Sequence, residues 1–473
     1  MTSHGKGSLA EMARDNQGHP GKKSHLPDPQ ANKGQLLREI FTGIHQKGLV
    51  YAVLRNYGGL PEQPGRDVDI LTNDFDKFHQ VIEQVAEKAG YFVRIFRRYD
   101  CLVKFHLISE VPGGFDVLEI DVGWDIRWKG LPLIPSDLLD HQRLWRGEFY
   151  TLRPGPEAAI SLFKDLIYHG IVKEKYQAVI TDMIRTDRDG FLKALALTFG
   201  LPLVSEVAEF CSQGDWGRIE ALLPQLRRQA VIRTLRRQPL AQLGRWATFL
   251  WWNLLKFFRP SGKFVVLVGP DGSGKSTVSA GLQKCLSPLF QGNRCFHAHF
   301  KYLPRLRDLA RLLGFRVSPE SPMNHPASEK FSKDPDFVAR LHSLILLLYY
   351  TLDYLLGYPL VFRSRGKGEL IIFDRYFYDY LIQPGTTLPD WFLTLLMRMI
   401  PNPDMVVYLK NSPEVILSRK PELSRQELER QGAVCARLIS RLPQGQVVET
   451  TGSPEETTAK VAQILVAKIL RTG

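Results

Sequence analysis

No uninterrupted apolar run in this 473-residue chain reaches the ~20 residues that a bilayer span needs. Nor is there a C-x-x-C pair among its five cysteines, Cys101, Cys211, Cys285, Cys295 and Cys435. An odd, scattered set excludes a disulfide framework or a cysteine zinc site and fits reduced thiols. The N-terminal MTSHGKGSLAEMARDNQ lacks an apolar core, so no secretory signal is expected and the location reads as cytoplasmic. There is no internal repeat. Acidic residues are missing altogether between Glu220 and Asp271, a stretch that holds nine basic ones: Arg227, Arg228, Arg233, Arg236, Arg237, Arg245, Lys256, Arg259 and Lys263. With a net charge of +13, that gap suits polyanionic partners such as nucleotides, nucleic acid or an anionic membrane face.

What is present predicts several domains. Hydrophobic content of 44% argues against wholesale disorder, and the length implies two or three cores. Residues 1–34 are polar and read as a disordered leader; 35–152 read as mixed α/β; 153–225 carry helix-period segments with Gly/Pro breaks. Residues 226–261 form a basic aromatic connector around WATFLWWNLLKFF (246–258), too short to cross a bilayer. That segment suits either a helix on an anionic membrane surface or one packed between domains. A longer apolar run, 341–362, is interrupted by Asp353, Gly357 and Pro359 and reads as a buried helix.

The sharpest motif follows the apolar run FVVLV (264–268). Gly269-Pro270-Asp271-Gly272-Ser273-Gly274-Lys275-Ser276-Thr277 fits G-x-x-x-x-G-K-[ST] between a strand and a helix, the context of a phosphate-binding loop. Gly269, Gly272 and Gly274 let backbone N–H groups approach phosphate oxygens at a helix N-terminus. Ser273 and Thr277 belong to the same nucleotide-binding loop, Lys275 reaches the β/γ-phosphates, and the Ser276 hydroxyl can ligate Mg²⁺. Apolar runs at 295–300, 370–374, 405–409 and 447–450 alternate with helical patterns, which predicts a five-stranded parallel sheet over 262–473 with its ligands at the carboxyl strand ends.

GPDGSGKST, a strand ending in Asp374-Arg375-Tyr376, and PNPDMVVYL together resemble the thymidylate kinase branch of the nucleoside monophosphate kinases, over about 262–470. The resemblance implies ATP and Mg²⁺ as cofactors, a phosphate contact for Arg375, and a part for Asp374 in organising the metal. It also implies that Asp271 faces the acceptor, where a carboxylate can hold a hydroxyl or take its proton. An arginine lid is implied after the fourth strand, with Arg419, Lys420, Arg425 and Arg430 as candidates. The family's Arg-Glu-Pro-Gly-Gly-type acceptor segment is replaced by HAHFKYLPRLRDLARLLGF. His297 and His299 are expected to share one strand face.

Upstream, LRNYGGLPEQPGRDVDILTND (54–74) places Asp67 and Asp69 on one strand face, and FDVLEIDVGW (115–124) offers Asp121 with Glu119. Three such carboxylates can hold Mg²⁺ ions for attack on a triphosphate. Residues 36–176 thereby resemble the nucleotidyltransferase superfamily, with Lys164, Lys173 and Lys175 as phosphate contacts. The family's Gly-Ser turn is absent; Arg66 precedes Asp67, and Arg55-Asn56 stands in the turn's neighbourhood.

The expected protein is an α/β kinase domain joined through helices to an α+β nucleotidyltransferase-like domain. Its substrates would be a nucleotide and a phosphorylated acceptor, with no specific nucleic acid. A sugar or glycan precursor at the membrane, a regulatory NTP-binding module without turnover, peripheral contact at the inner membrane face, and a homodimer all stay open.

Overall fold

The computed structural model describes residues 29–134, 138–300, 302–304, 337–382 and 390–470. Helix α1 (Pro29–Gln46) begins six residues ahead of Gln35, inside the stretch read as leader; residues 1–28 lie outside the described ones. It leads to β1 (Tyr51–Leu54), β2 (Asp67–Thr72), α2 (Phe75–Lys88), β3 (Phe92–Arg98), β4 (Leu102–Val111) and β5 (Gly114–Gly123). A small ribbon, β6 (Ile126–Trp128) with β7 (Leu131–Ile134), and one turn of helix, α3 (Leu138–His141), precede β8 (Arg143–Trp145) and β9 (Tyr150–Leu152). Seven of these strands form one mixed sheet in the order β3-β4-β5-β2-β1-β9-β8, with β2 parallel to β5.

Patterning explains how each face is covered. In α2, Asp74 caps the first turn by accepting from the Lys77 N–H, and Phe78, Val81, Ile82 and Ala86 make its inward stripe. With Leu37, Ile40, Phe41 and Ile44 of α1 they close over Tyr51, Val53, Ile70, Phe105 and Ile120 of the sheet. Behind the other face lie α4 (Pro154–His169), α5 (Glu174–Thr186), α6 (Arg188–Phe199), α7 (Leu201–Gln213), α8 (Trp216–Ala221) and α9 (Leu223–Arg237). Leu226 and Ala230 bury α9 in this helical core, so the first part of the expected connector belongs to the bundle. Only α10 (Pro239–Phe258) bridges onward.

The chain then enters β10 (Lys263–Val268), α11 (Lys275–Cys285) and β11 (Gly292–His297). A 31-residue helix, Phe337–Lys367, leads to β12 (Glu369–Asp374); β13 (Met405–Lys410) and β14 (Gly445–Glu449) complete the sheet. All five strands are parallel, in the order β11-β12-β10-β13-β14, with apolar residues covered on both faces. The expected five-stranded parallel sheet is therefore present. The long helix is less buried than its sequence suggested: Ile345, Leu348, Leu352, Leu356 and Phe362 face outward. Among the described residues no helix is long and apolar enough to cross a membrane.

The two sheets meet through a shared core and buried hydrogen bonds. Ile108 and Phe115 of β4 and β5 share a core with Val278 and Leu282 of α11. Arg94 of β3, buried, donates to the Leu289 carbonyl at 3.1 Å and the Ser261 carbonyl at 2.5 Å. Arg97 donates to Ser261 Oγ at 3.1 Å and to the Gly366 carbonyl at 2.8 Å.

Candidate functional site

The phosphate loop lies at the carboxyl end of β10, beside the end of β12. Gly272 (φ 85°) and Gly274 (φ 93°) take the left-handed backbone that side chains disfavour, and Gly274 caps α11. A Cβ on Gly272 would stand 3.2 Å from Ile416 Cγ2 and 3.3 Å from Lys420 Cβ. Gly269 opens the loop against Ser273, whose buried hydroxyl has no hydrogen-bond partner among the described residues. Lys275 is buried, and its ammonium donates to the Gly269 carbonyl at 2.6 Å and the Pro270 carbonyl at 2.9 Å.

Parallel pairing sets Leu267 of β10 opposite Asp374 of β12, so the two strand ends deliver their chemistry together. The Ser276 hydroxyl donates to Asp374 Oδ2 at 2.5 Å, and Asp374 Oδ1 is buried without a partner among the described residues. Arg375 adopts φ 68°, unusual for a side-chain-bearing residue, and its guanidinium bonds Asp271. Lys275 stands 3.6 Å and Lys420 4.0 Å from the same carboxylate. Burial pushes the Asp271 carboxyl up, but Lys275, Arg375 and Lys420 outweigh it and hold the group below its ordinary range. A cavity of about 510 Å³ is bounded by Asp271, Lys275, Ser276, Thr277, Asp374, Arg375, Arg419 and Lys420. The sequence-expected residues of this loop therefore converge.

Three expectations need correction or addition. Arg425 pairs with Glu414 at 2.8 Å and Glu429 at 3.0 Å, and Arg430 with Glu427 at 2.7 Å, so only Arg419 and Lys420 of the lid candidates line the cavity. His297 and His299 do not share a strand face: β11 ends at His297, and Ala298 (φ 67°) turns the chain so that the His299 N–H donates to the His297 carbonyl at 2.9 Å. His297 Nδ1 stands 3.4 Å from Asp374 Oδ2. Asp379 was missed by the sequence reading. It lies four residues beyond Arg375, in the short helix Tyr378–Ile382, 3.9 Å from the Arg375 Nε, and burial pushes its carboxyl up to about 7 despite Lys275 and Arg375.

The second constellation lies on the seven-stranded sheet. Parallel pairing of β2 with β5 sets Asp67 opposite Glu119 and Asp69 opposite Asp121. Carboxylate oxygens of Asp67, Asp69 and Asp121 lie within 4.8 Å of one another. Cations already crowd them: Asp69 accepts from Arg55 at 2.9 Å and Lys164 at 3.0 Å, and Asp121 from Lys104. Burial raises Asp69, and Lys164 and Arg55 more than offset it, leaving that carboxyl low. Burial dominates at Asp121 and Glu119, leaving both raised. Arg55 (φ 54°) and Asn56 (φ 51°) form a left-handed turn after β1, in the neighbourhood of the missing Gly-Ser. Lys175 lies over the Tyr176 ring at 4.6 Å instead of on the acids, and Lys173 precedes α5. Lys104 was not foreseen, although it faces Asp121 across the antiparallel β4–β5 pair.

Both places pass a chemical test for Mg²⁺, which takes hard oxygen ligands. Asp374 Oδ1 beside Ser276 Oγ is one open acceptor; Asp121 Oδ1, buried and without a partner among the described residues, is another.

No protein-family profile matches the chain, and no curated protein matches it. Solved structures do. A thymidylate kinase from Ehrlichia chaffeensis is 15% identical, covering 43% of this chain and 98% of its own, with a TM-score of 0.30. A thymidylate kinase from Candida albicans is 17% identical, covering 44% and 92%, also with a TM-score of 0.30. Likeness at this level extends to neither substrate nor mechanism.

Proposed function

We propose that the five-stranded unit is an ATP- and Mg²⁺-dependent phosphotransferase of the nucleoside monophosphate kinase type, acting on a phosphorylated acceptor. The observation that carries this reading is the meeting of the Lys275–Ser276 loop and the Asp374–Arg375 pair at one strand edge, with Ser276 Oγ 2.5 Å from Asp374. Bound with Mg²⁺, ATP supplies the transferable phosphoryl group. Lys275 would exchange the Gly269 and Pro270 carbonyls for phosphate oxygens, while Ser276 and Asp374 would hold the metal. Arg375, Arg419 and Lys420 would stabilise charge on the transferring group, because such a reaction is catalysed by positioning and electrostatics. Asp271, left ionised by its three cations, would hold the acceptor or take its proton. Labelled ATP incubated with dTMP, other nucleoside monophosphates and a panel of sugar phosphates tests it. A labelled nucleoside diphosphate is the expected product; a labelled sugar moves the acceptor to a glycan precursor, and no transfer with retained ATP binding leaves a nucleotide-binding regulatory module.

For the seven-stranded unit the proposal is a divalent-cation site of the nucleotidyltransferase type on Asp67, Asp69 and Asp121, supported by their 4.8 Å proximity. Arg55, Lys104 and Lys164 would have to yield ligand positions to the metal. Calorimetric titration with Mn²⁺, with and without nucleoside triphosphates, tests it: heat that disappears in Asp67→Asn/Asp69→Asn is expected, and an unchanged isotherm removes the reading.

A further inference from the structure

Helix α10 turns Trp246 and Phe249 inward against Gly130 and still carries an apolar stripe on its outer side. Leu240 (82% exposed), Leu243, Leu250, Trp251 (58%), Leu254 and Phe258 (75%) fall on one side of the helix and face outward. Inward lies Gln242, wholly buried, donating to the Gly130 carbonyl at 3.1 Å. On the same inner side Arg98 covers the Trp252 ring at 4.6 Å and Lys256 covers Tyr99 at 4.4 Å. A helix adapted to water carries polar residues on its outer side.

The helix Phe337–Lys367 carries a second outward apolar stripe, opposite a buried side that includes Leu347, Tyr354 and Val361. Ile345, Leu348, Leu352, Leu356 and Phe362 face outward, while Thr351, Asp353 and Ser364 are buried. The two apolar stripes meet where Phe257 stacks on Phe362, centroids 5.0 Å apart and planes 4° from parallel, each ring still about half exposed. An apolar surface continuous across two helices marks an interaction face. Its ends carry exposed arginines, Arg236 and Arg237 before α10, Arg259 after it and Arg363 beside Phe362. None of the four has a described carboxylate within 4.0 Å.

We propose that this face docks on an anionic phospholipid bilayer, with α10 lying in the plane of the interface. Charge decides between occupants. A second copy of the chain would set stripe against stripe and bring arginine rows together, and residues 221–270 offer no acid to compensate them. A leaflet with anionic headgroups supplies both the apolar depth and the missing negative charge. The inference stands independently of what the phosphate loop transfers.

Flotation of the full chain with phosphatidylglycerol/phosphatidylcholine vesicles tests it. The chain should float with anionic vesicles at low salt, and binding should fall steeply as salt rises. Leu254→Glu and Leu250→Glu change outward positions and should each lower partitioning at least tenfold, with the circular dichroism spectrum unaltered. Arg259→Gln should lower it about fivefold. Three results would overturn the proposal: no flotation at low salt, flotation undiminished by either glutamate, or a lipid-free dimer that Leu254→Glu dissociates while vesicles are ignored.

Discussion

The phosphate loop and the carboxylate cluster both gather charge at strand ends, but they compensate it in opposite ways. At the loop, under the proposed function, backbone N–H groups with Lys275, Arg375, Arg419 and Lys420 would supply the anion affinity, and Asp271 is the shared counter-charge of Lys275, Arg375 and Lys420. A phosphate entering there meets donors that need only turn from one oxygen to another. On the seven-stranded sheet the acids already have fixed partners, and a metal would have to displace Arg55 and Lys164 from Asp69 and Lys104 from Asp121. On the proposed function, one arrangement would be poised for its ligand and the other would have to be opened by it.

The largest effect should come at the loop. Lys275→Ala should cut phosphoryl transfer by about 10³ or more, since its charge acts mainly on the transferring group. Arg375→Ala should lose a comparable factor, read in initial rates with labelled ATP. If Arg375 serves only to brace Asp271, its variant will instead keep its turnover and melt earlier.

Asp67→Asn with Asp69→Asn should abolish Mn²⁺ heat from the carboxylate cluster while leaving transfer at the loop within about twofold, because the two places share no side chain. A collapse of both activities would break the comparison. Smaller and opposite in sign is Arg55→Gln, which removes a guanidinium 2.9 Å from Asp69 and should tighten Mn²⁺ binding about tenfold. Weaker binding would show that Arg55 shapes the cluster rather than competing with the metal.

The smallest effect is a pH dependence. Asp379 titrates at about 7 in the folded chain, above its unfolded value, so the fold holds a proton that the unfolded chain releases. Its stabilising share is complete below the ordinary carboxylate range and is lost as pH rises through about 7. Asp379→Asn should therefore raise the urea midpoint relative to the parent at pH 8 and not at pH 4.

What the sequence disclosed follows how local each feature is. FVVLV followed by GPDGSGKST was legible because strand, loop and helix N-terminus occupy consecutive residues. The common face of Asp67 and Asp69 was legible from strand alternation. That Asp121 lies beside Asp69 depends on parallel pairing between strands about fifty residues apart, which needs the fold, and Lys104 was hidden for the same reason. His299 misled because alternation holds only while a strand continues, and Ala298 ends it. The aromatic–basic character of residues 246–258 was plain. Which of its tryptophans look outward was not, since that is settled by Gly130, Tyr99 and Arg98 packing against the other side.

Arg94 and Arg97 tie the start of the phosphate-loop sheet to the edge of the seven-stranded one through Ser261, Leu289 and Gly366. These bonds couple the melting of the two sheets. Parting the two sheets breaks these guanidinium–carbonyl bonds, each worth about 1.5–3 kcal/mol net as a hydrogen bond to a charged group. A scanning calorimeter should accordingly record one endotherm for the pair, and Arg94→Met should split it into two.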